Sequence, residues 1–256
     1  MPPMKSSVDR GSSLDYLTDA PPLFSSTFVA GPCPVGLDQL VTTKHGVMGV
    51  DVDWPNRDDA AGYNRRWSPD SPVEGKSLFA FDAAKKIWNR LGKAGQPSPQ
   101  NLYEQTSLAY DSQRDQVLLH GGGGKRDELW AFDLKTNRWL ELKPKVAAPA
   151  GAAPPGCNRE SVYIPGQDVM ITYGPGLEKR SPALWAYKPD ENAWYGLEVA
   201  APPGIDAALA SGQNRALVYD PKRDMVFVVL GTRGGPLAEA RVFALRYRHG
   251  EAKFVK

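Results

Sequence analysis

Apolar residues in this chain cluster in short runs that close on glycine: Gln116 to Leu119 before Gly121, Asp168 to Tyr173 before Gly174, and Met225 to Leu230 before Gly231. No long segment carries the 3.6-residue spacing of an amphipathic helix, so short strands joined by turns are expected. A second motif recurs at Leu78-Phe79-Ala80-Phe81-Asp82, Leu129-Trp130-Ala131-Phe132-Asp133 and Leu184-Trp185-Ala186-Tyr187-Lys188, with a weaker echo at Val242-Phe243-Ala244-Leu245-Arg246. The offsets are 129 − 78 = 51, 184 − 129 = 55 and 242 − 184 = 58 residues. In the first three copies a Trp follows the aromatic by seven positions: Phe81 to Trp88, Phe132 to Trp139, Tyr187 to Trp194. A third block precedes the last three copies, at Ser107 to Asp111, Ser161 to Ile164 and Ala216 to Asp220.

Four strands per unit follow: an inner strand ending near the Tyr, an apolar strand ending at Gly, the Leu-Trp-Ala-Phe strand, and an outer strand carrying the Trp. One such sheet cannot cover both of its faces, so copies must pack face to face and stack radially about an axis. The expected fold is an all-β propeller with blades at 36–91, 105–142, 158–197 and 214–255. An irregular segment, 1–35, precedes them, rich in Pro21-Pro22 and Gly31-Pro32-Cys33-Pro34 and with one outer strand at Ser26 to Val29. The last three blades are expected to be four-stranded, and Phe254 stands in for the Trp that the last one lacks. In the first unit, inner strands are placed at Leu40 to Thr43 and Val47 to Val52, before an insertion from Asp53 to Lys76.

An apolar strand, a Gly pair such as Gly121-Gly122, an aromatic, six residues and a Trp together resemble the kelch motif. The resemblance covers about residues 77 to 255 and is best at 105 to 142; Gly174-Pro175-Gly176 departs from it. It implies a kelch-like β-propeller with about four blades in this chain. Kelch-like rings usually close with more blades, so the ring is incomplete here or closes differently. The repeated Trp130, Trp139, Trp185 and Trp194 are expected between blades, as core.

Hydrophobic residues make up 41% of the chain and aromatics 10%, enough to bury a core. Thirty-one basic against twenty-nine acidic residues leave +2, too balanced for the field that phosphate binding needs, so nucleic acid is not an expected partner. No stretch approaches eighteen apolar residues and no apolar segment follows Met1 to Ser7, so neither membrane insertion nor a secretory signal is read here. The compartment stays open. Two cysteines, Cys33 and Cys157, are too few for a disulfide framework.

Candidate chemistry is sparse. Gly121 to Lys125 imitates a phosphate loop, but Leu119 and Arg126 stand where that motif needs Gly and Ser or Thr. The kelch resemblance brings in galactose-oxidase-like copper enzymes, whose site takes two His, a Tyr, and a second Tyr cross-linked to Cys. With only His45, His120 and His249 available, that ligand set is nearly exhausted, and no metal or cofactor is expected. His120 reads as a packed strand residue. The acidic run Asp51, Asp53, Asp58 and Asp59 is interrupted by Pro55 and reads as a solvated turn.

The best candidate site rests on repeat position. Asn158-Arg159 and Asn214-Arg215 both lie five and four residues before a repeat Tyr, Tyr163 and Tyr219, at the entrance of successive inner strands. Two guanidiniums on one channel mouth would suit an anionic group of a ligand. The competing role is a bridge from each Arg to backbone carbonyls of the next blade. Loops expected on the same mouth, at 121–128, 174–183 and 231–241 and in the links 92–104, 143–157 and 198–213, carry Lys125, Arg126, Arg180 and Arg233. Kelch-like domains commonly bind partners through such loops, which implies a non-catalytic module for a protein or carbohydrate-like ligand. The alternatives are a sugar-oxidising or sugar-isomerising kelch-like enzyme and a purely structural repeat.

Overall fold

A computed structural model describes residues 37–51, 78–92, 96–99, 106–121, 128–148, 160–173, 184–198, 215–230 and 241–254. The first sheet consists of β1 (Leu37–Thr43), β2 (Gly46–Asp51), β3 (Leu78–Asp82) and β4 (Ile87–Arg90), and the second of β5 (Ser107–Asp111), β6 (Gln116–His120), β7 (Leu129–Asp133) and β8 (Arg138–Glu141). Then come β9 (Lys145–Ala148), and β10 (Glu160–Ile164), β11 (Val169–Tyr173), β12 (Leu184–Lys188) and β13 (Ala193–Gly196) of the third sheet. The last sheet holds β14 (Arg215–Asp220), β15 (Met225–Leu230) and β16 (Arg241–Leu245). Within every blade the strands run antiparallel in chain order. The blades follow one another as in a β-propeller, β1 packing on β5, β5 on β10 and β10 on β14. Among the described residues no packing of that extent joins β14 to β1.

The seven-residue interval has a simple cause. In the hairpin of β7 and β8, Phe132 pairs with Trp139 and Asp133 with Arg138, leaving four residues to turn. Asp133 Oδ1 accepts the N–H groups of Lys135 and Thr136, and Asn137 closes the turn at φ 58°, a left-handed conformation that Asn tolerates. The paired rings lie 5.0 Å apart here, and 5.2 Å apart both at Phe81–Trp88 and at Tyr187–Trp194. Trp139 and Trp194 are buried between blades, as expected for the wedge.

The first two interfaces repeat one scheme. An aliphatic row on one blade, such as Ala109, Leu118 and Ala131, is covered by an aromatic-rich row on the next, here Tyr163, Met170, Tyr187 and Trp194. His120 is fully buried, its ring 4.8 Å from that of Trp194, which is the packed strand role read from the sequence. Gly121 has φ 99°, a conformation that favours glycine at the end of an apolar strand.

Two elements differ from the sequence reading. The link 143–157 contains a strand: β9 adds in parallel to the outer edge of β13, making the third sheet five-stranded. Asn192 fixes it there, donating from Nδ2 to Leu142 O at 2.6 Å and accepting Lys145 N–H on its own carbonyl at 3.0 Å. The last blade has three described strands, not four. Leu245 occupies the position where other blades carry the aromatic partner of Trp, and the chain then turns through the 3₁₀ segment His249–Glu251 back to the third blade. Phe254 makes a bridge with Leu197 of that blade and stacks 4.8 Å from Tyr195, so it is not an outer-strand Trp substitute. The insertion 53–76, the strand expected at Ser26 to Val29, Cys33, Cys157, Gly174 and Gly231 lie outside the described residues.

Candidate functional site

The first hairpin of each blade and the hairpin of its outer strands turn at one rim of the propeller. There the sequence places Asp or Asn five residues after an aromatic, and the structure uses that spacing as a clasp. Tyr110 donates to Asp115 Oδ1 at 2.9 Å, Tyr163 to Asp168 at 2.5 Å, Tyr219 to Asp224 at 2.9 Å and Tyr187 to Asn192 at 3.0 Å. Each acceptor has positive φ, 57°, 49°, 52° and 48° in turn, which points its side chain back at the ring hydroxyl.

The same carboxylates tie neighbouring blades together. Lys44 and His45 of the first blade reach Asp115 of the second at 3.0 and 2.9 Å. Arg114 of the second grips Asp168 of the third with two nitrogens, at 2.6 and 2.8 Å, while holding Asp111 at 3.1 Å. Lys188 adds charge beside Asp168 at 3.7 Å. Arg114 holds the Asp168 carboxyl down at about 2, with Tyr163 and Lys188 assisting against burial. Burial pushes Asp115 up, but hydrogen bonds from Lys44, Tyr110 and His45 outweigh it and leave the group at about 2. Burial, reinforced by Asp115, raises the Tyr110 hydroxyl to about 12, and burial beside Asp168 raises Tyr163 further. The Asp115 and Asp168 carboxylates stay ionised and the Tyr110 and Tyr163 hydroxyls protonated near neutral pH, each pair satisfied by its hydrogen bond. They hold blades together, and no general acid or base stands out among them.

The opposite rim is where the second and third strands of each blade connect and where each blade hands over to the next. Of the residues singled out there, Asn158, Arg159, Asn214, Lys125, Arg126, Arg180 and Arg233 lie outside the described residues, as does the side chain of Arg215. The backbone of Arg215 opens β14, paired with Leu230. β14 packs on β10, whose first residue follows Arg159, so topology brings the two inner-strand entrances to neighbouring blades at one rim. Nearby, Ser107 and Ser161 meet hydroxyl to hydroxyl at 2.7 Å across the second and third blades.

Sequence reasoning missed a cleft of about 640 Å³ between the third and fourth blades, lined among others by Leu197, Glu198, Arg246, Arg248, Glu251 and Lys253. It exists because the chain after β16 returns to the third blade. Tyr195, His249 and Phe254 stack beside it, with ring centroids 4.8 to 5.5 Å apart. Burial, helped by Lys188, pushes the His249 imidazole below its ordinary pKa, and its Nδ1 shares a hydrogen bond of 2.6 Å with the Tyr247 hydroxyl. Arg248 is held by Asp224 at 2.5 Å. The cleft mixes both charges and holds no nucleophile–base pair. Among the described residues there is no group of three metal-ligating side chains, and no helix long and apolar enough to cross a membrane.

No family model matches this chain, and no curated protein matches it. Solved structures similar to it include TolB from Acinetobacter baumannii, at 12% identity and a TM-score of 0.41, covering 70% of this chain and 37% of that one. Another is the major Malassezia sympodialis allergen Mala s 1, at 14% identity and 0.37, covering 65% and 47%. The chain spans less than half the length of either, and neither likeness carries an argument about function.

Proposed function

We propose that this chain is a kelch-like, non-catalytic binding module that takes a protein or carbohydrate-like ligand on the rim where the strand connections 122–127, 174–183 and 231–240 leave and return. The observation that supports this reading most is the unequal use of the two rims. At the hairpin rim, Asp115, Asp168, Arg114 and Lys44 are consumed in clasps between blades. In sequence, the segments that join strands toward the other rim carry Lys125, Arg126, Arg180 and Arg233, and Arg159 and Arg215 fall where inner strands begin. Cations grouped on a rigid frame favour a ligand carrying carboxylates, through paired hydrogen bonds from guanidinium.

Calorimetric titration with an oligoglutamate peptide and with an oligogalacturonate tests the reading. Binding of at least one is expected, lost when Arg159→Ala and Arg215→Ala are combined, with the melting temperature nearly unchanged. Failure of both probes to bind, or unfolding of the double variant, would leave the two arginines as braces between blades. Turnover of a sugar substrate would move the chain to the enzymes.

A further inference from the structure

The turns of the first two blades sort their charges by depth. Asp82, Asp111 and Asp133 each accept two backbone N–H groups of their own turn, and Asp115 accepts from Lys44, His45 and the Tyr110 hydroxyl. Committed in this way, none of the four acids is exposed: Asp111 and Asp115 are buried, Asp82 and Asp133 half-buried. The cations of the same turns lie outside them. Lys85, Lys86, Lys135 and Arg138 are all exposed, and Lys44, although tied to Asp115, keeps 56% of its side chain in solvent. Lys85 reaches Asp82 at 3.4 Å from a side chain 73% exposed, and Lys86 forms no ion pair among the described residues.

The backbone of Lys86 is a second observation. It has φ 56°, at the turn position that Asp115, Asn137, Asp168, Asn192 and Asp224 fill elsewhere with φ between 48° and 58°. Asn and Asp tolerate this left-handed conformation because their short side chains bond locally, whereas a lysine is strained in it. Phe81, five residues earlier, has no hydroxyl for an acceptor at 86 to hold, so Asn here would bring a relaxed backbone and nothing more. A strained lysine at the tip of an exposed turn points to a task for its charge.

We propose that this face of the first two blades rests on the surface of a bilayer containing anionic lipid. Its cations stand on turn tips, not around a groove, so they suit a broad negative surface better than a ligand to be enclosed. Lysines predominate, and an ammonium is a point charge that meets scattered headgroup phosphates and carboxylates without the paired geometry a guanidinium exploits. A nucleic-acid duplex asks for a stronger field than a chain of net charge +2 supplies. The contact is one-sided: the outer turn of the third blade exposes Asp190 and Glu191, and Lys222 and Arg223 of the fourth blade lie beyond it. Adsorption is electrostatic, without insertion, and it leaves the opposite rim facing away from the lipid, whatever that rim binds.

Co-sedimentation of the whole chain with vesicles of phosphatidylcholine alone, or with about one third phosphatidylserine, tests this. At about 0.1 M salt the anionic vesicles should hold about half of the chain at on the order of 1 mM accessible lipid, and raising the salt to about 0.5 M should release it. Neutral vesicles should bind none. Each lysine near the surface contributes about five-fold, so Lys85→Gln, Lys86→Asn and Lys135→Gln together should weaken binding by about 100-fold. Lys86→Asn alone should weaken it about five-fold while raising the melting temperature, because Asn relaxes the turn. Lys222→Gln, in the fourth blade, should leave it unchanged. Equal binding to neutral vesicles, no binding to anionic ones at about 0.1 M salt, or binding that the triple variant retains with an unchanged circular dichroism spectrum overturns the proposal. So does a triple variant that loses affinity for a short DNA duplex and keeps its affinity for vesicles.

Discussion

Replacing Asp168 with Asn probes the clasp between the second and third blades without changing its shape. Asn already occupies the equivalent turn position in the outer hairpin of the third blade, where Asn192 has φ 48° and accepts the Tyr187 hydroxyl, so Asp168→Asn keeps both the left-handed turn and an acceptor for Tyr163. What is removed is the charge facing Arg114 and Lys188, together with one of the two oxygens that accept from the Arg114 guanidinium. The folded carboxyl titrates at about 2 against an ordinary 3.8, which corresponds to about 2 to 3 kcal/mol of stability at neutral pH. Arg114 is 33% exposed, and solvent screening brings the expected loss to about 2 kcal/mol. Because the folded pKa is depressed, the contribution is complete above the unfolded value and disappears as pH falls through the folded one. The difference between wild type and variant in urea unfolding should therefore be about 2 kcal/mol at pH 7 and roughly half that near pH 3. A difference that is the same at both pH values, or below about 0.5 kcal/mol at pH 7, the ordinary scatter of surface changes, would refute the account of the clasp.

Two further perturbations test the frame. Trp139→Ala removes a ring buried between the first and second blades and packed edge-on 5.0 Å from Phe132, and should cost about 3 to 5 kcal/mol in chemical unfolding. An unchanged midpoint would contradict the wedge role. Gly46→Ala should cost about 1 to 2 kcal/mol through backbone strain alone, because Gly46 has φ 107° and an added Cβ would meet only Phe81 O at 3.8 Å; thermal melting of that variant is the check.

The strands were legible because their signals are local. Leu129 to Phe132 and its two clear copies are legible as a strand motif, and the fixed interval to Trp follows from a four-residue turn between the paired Asp133 and Arg138. The clasp was equally present in the sequence, as Tyr110 and Asp115, Tyr163 and Asp168, Tyr187 and Asn192, Tyr219 and Asp224. What it lacked was any indication that Asp168 also serves Arg114, because that contact spans 54 residues and depends on how the blades are stacked. The candidate arginines rest on repeat position only, since Arg159 and the side chain of Arg215 fall outside the described residues.

The fourth blade shows where repeat logic stops. A propeller blade keeps its outer strand because a Trp on that strand locks onto the aromatic of the strand before it, a contact worth about 1 kcal/mol beyond the area it buries. Leu245 removes the aromatic and no Trp follows at the seventh position, so the segment after β16 gains nothing by doubling back on its own sheet. The third blade offers more: Gln167 accepts the His249 N–H at 3.0 Å, Tyr195 receives His249 and Phe254 against its ring, and Lys253 O accepts the Glu198 N–H at 2.9 Å. A position-by-position alignment of the repeat assigns Phe254 to the wrong sheet because it scores aromatic character without asking which partner ring remains. The same choice opens the cleft at Leu197 and Arg246, so this cleft is a consequence of a missing Trp.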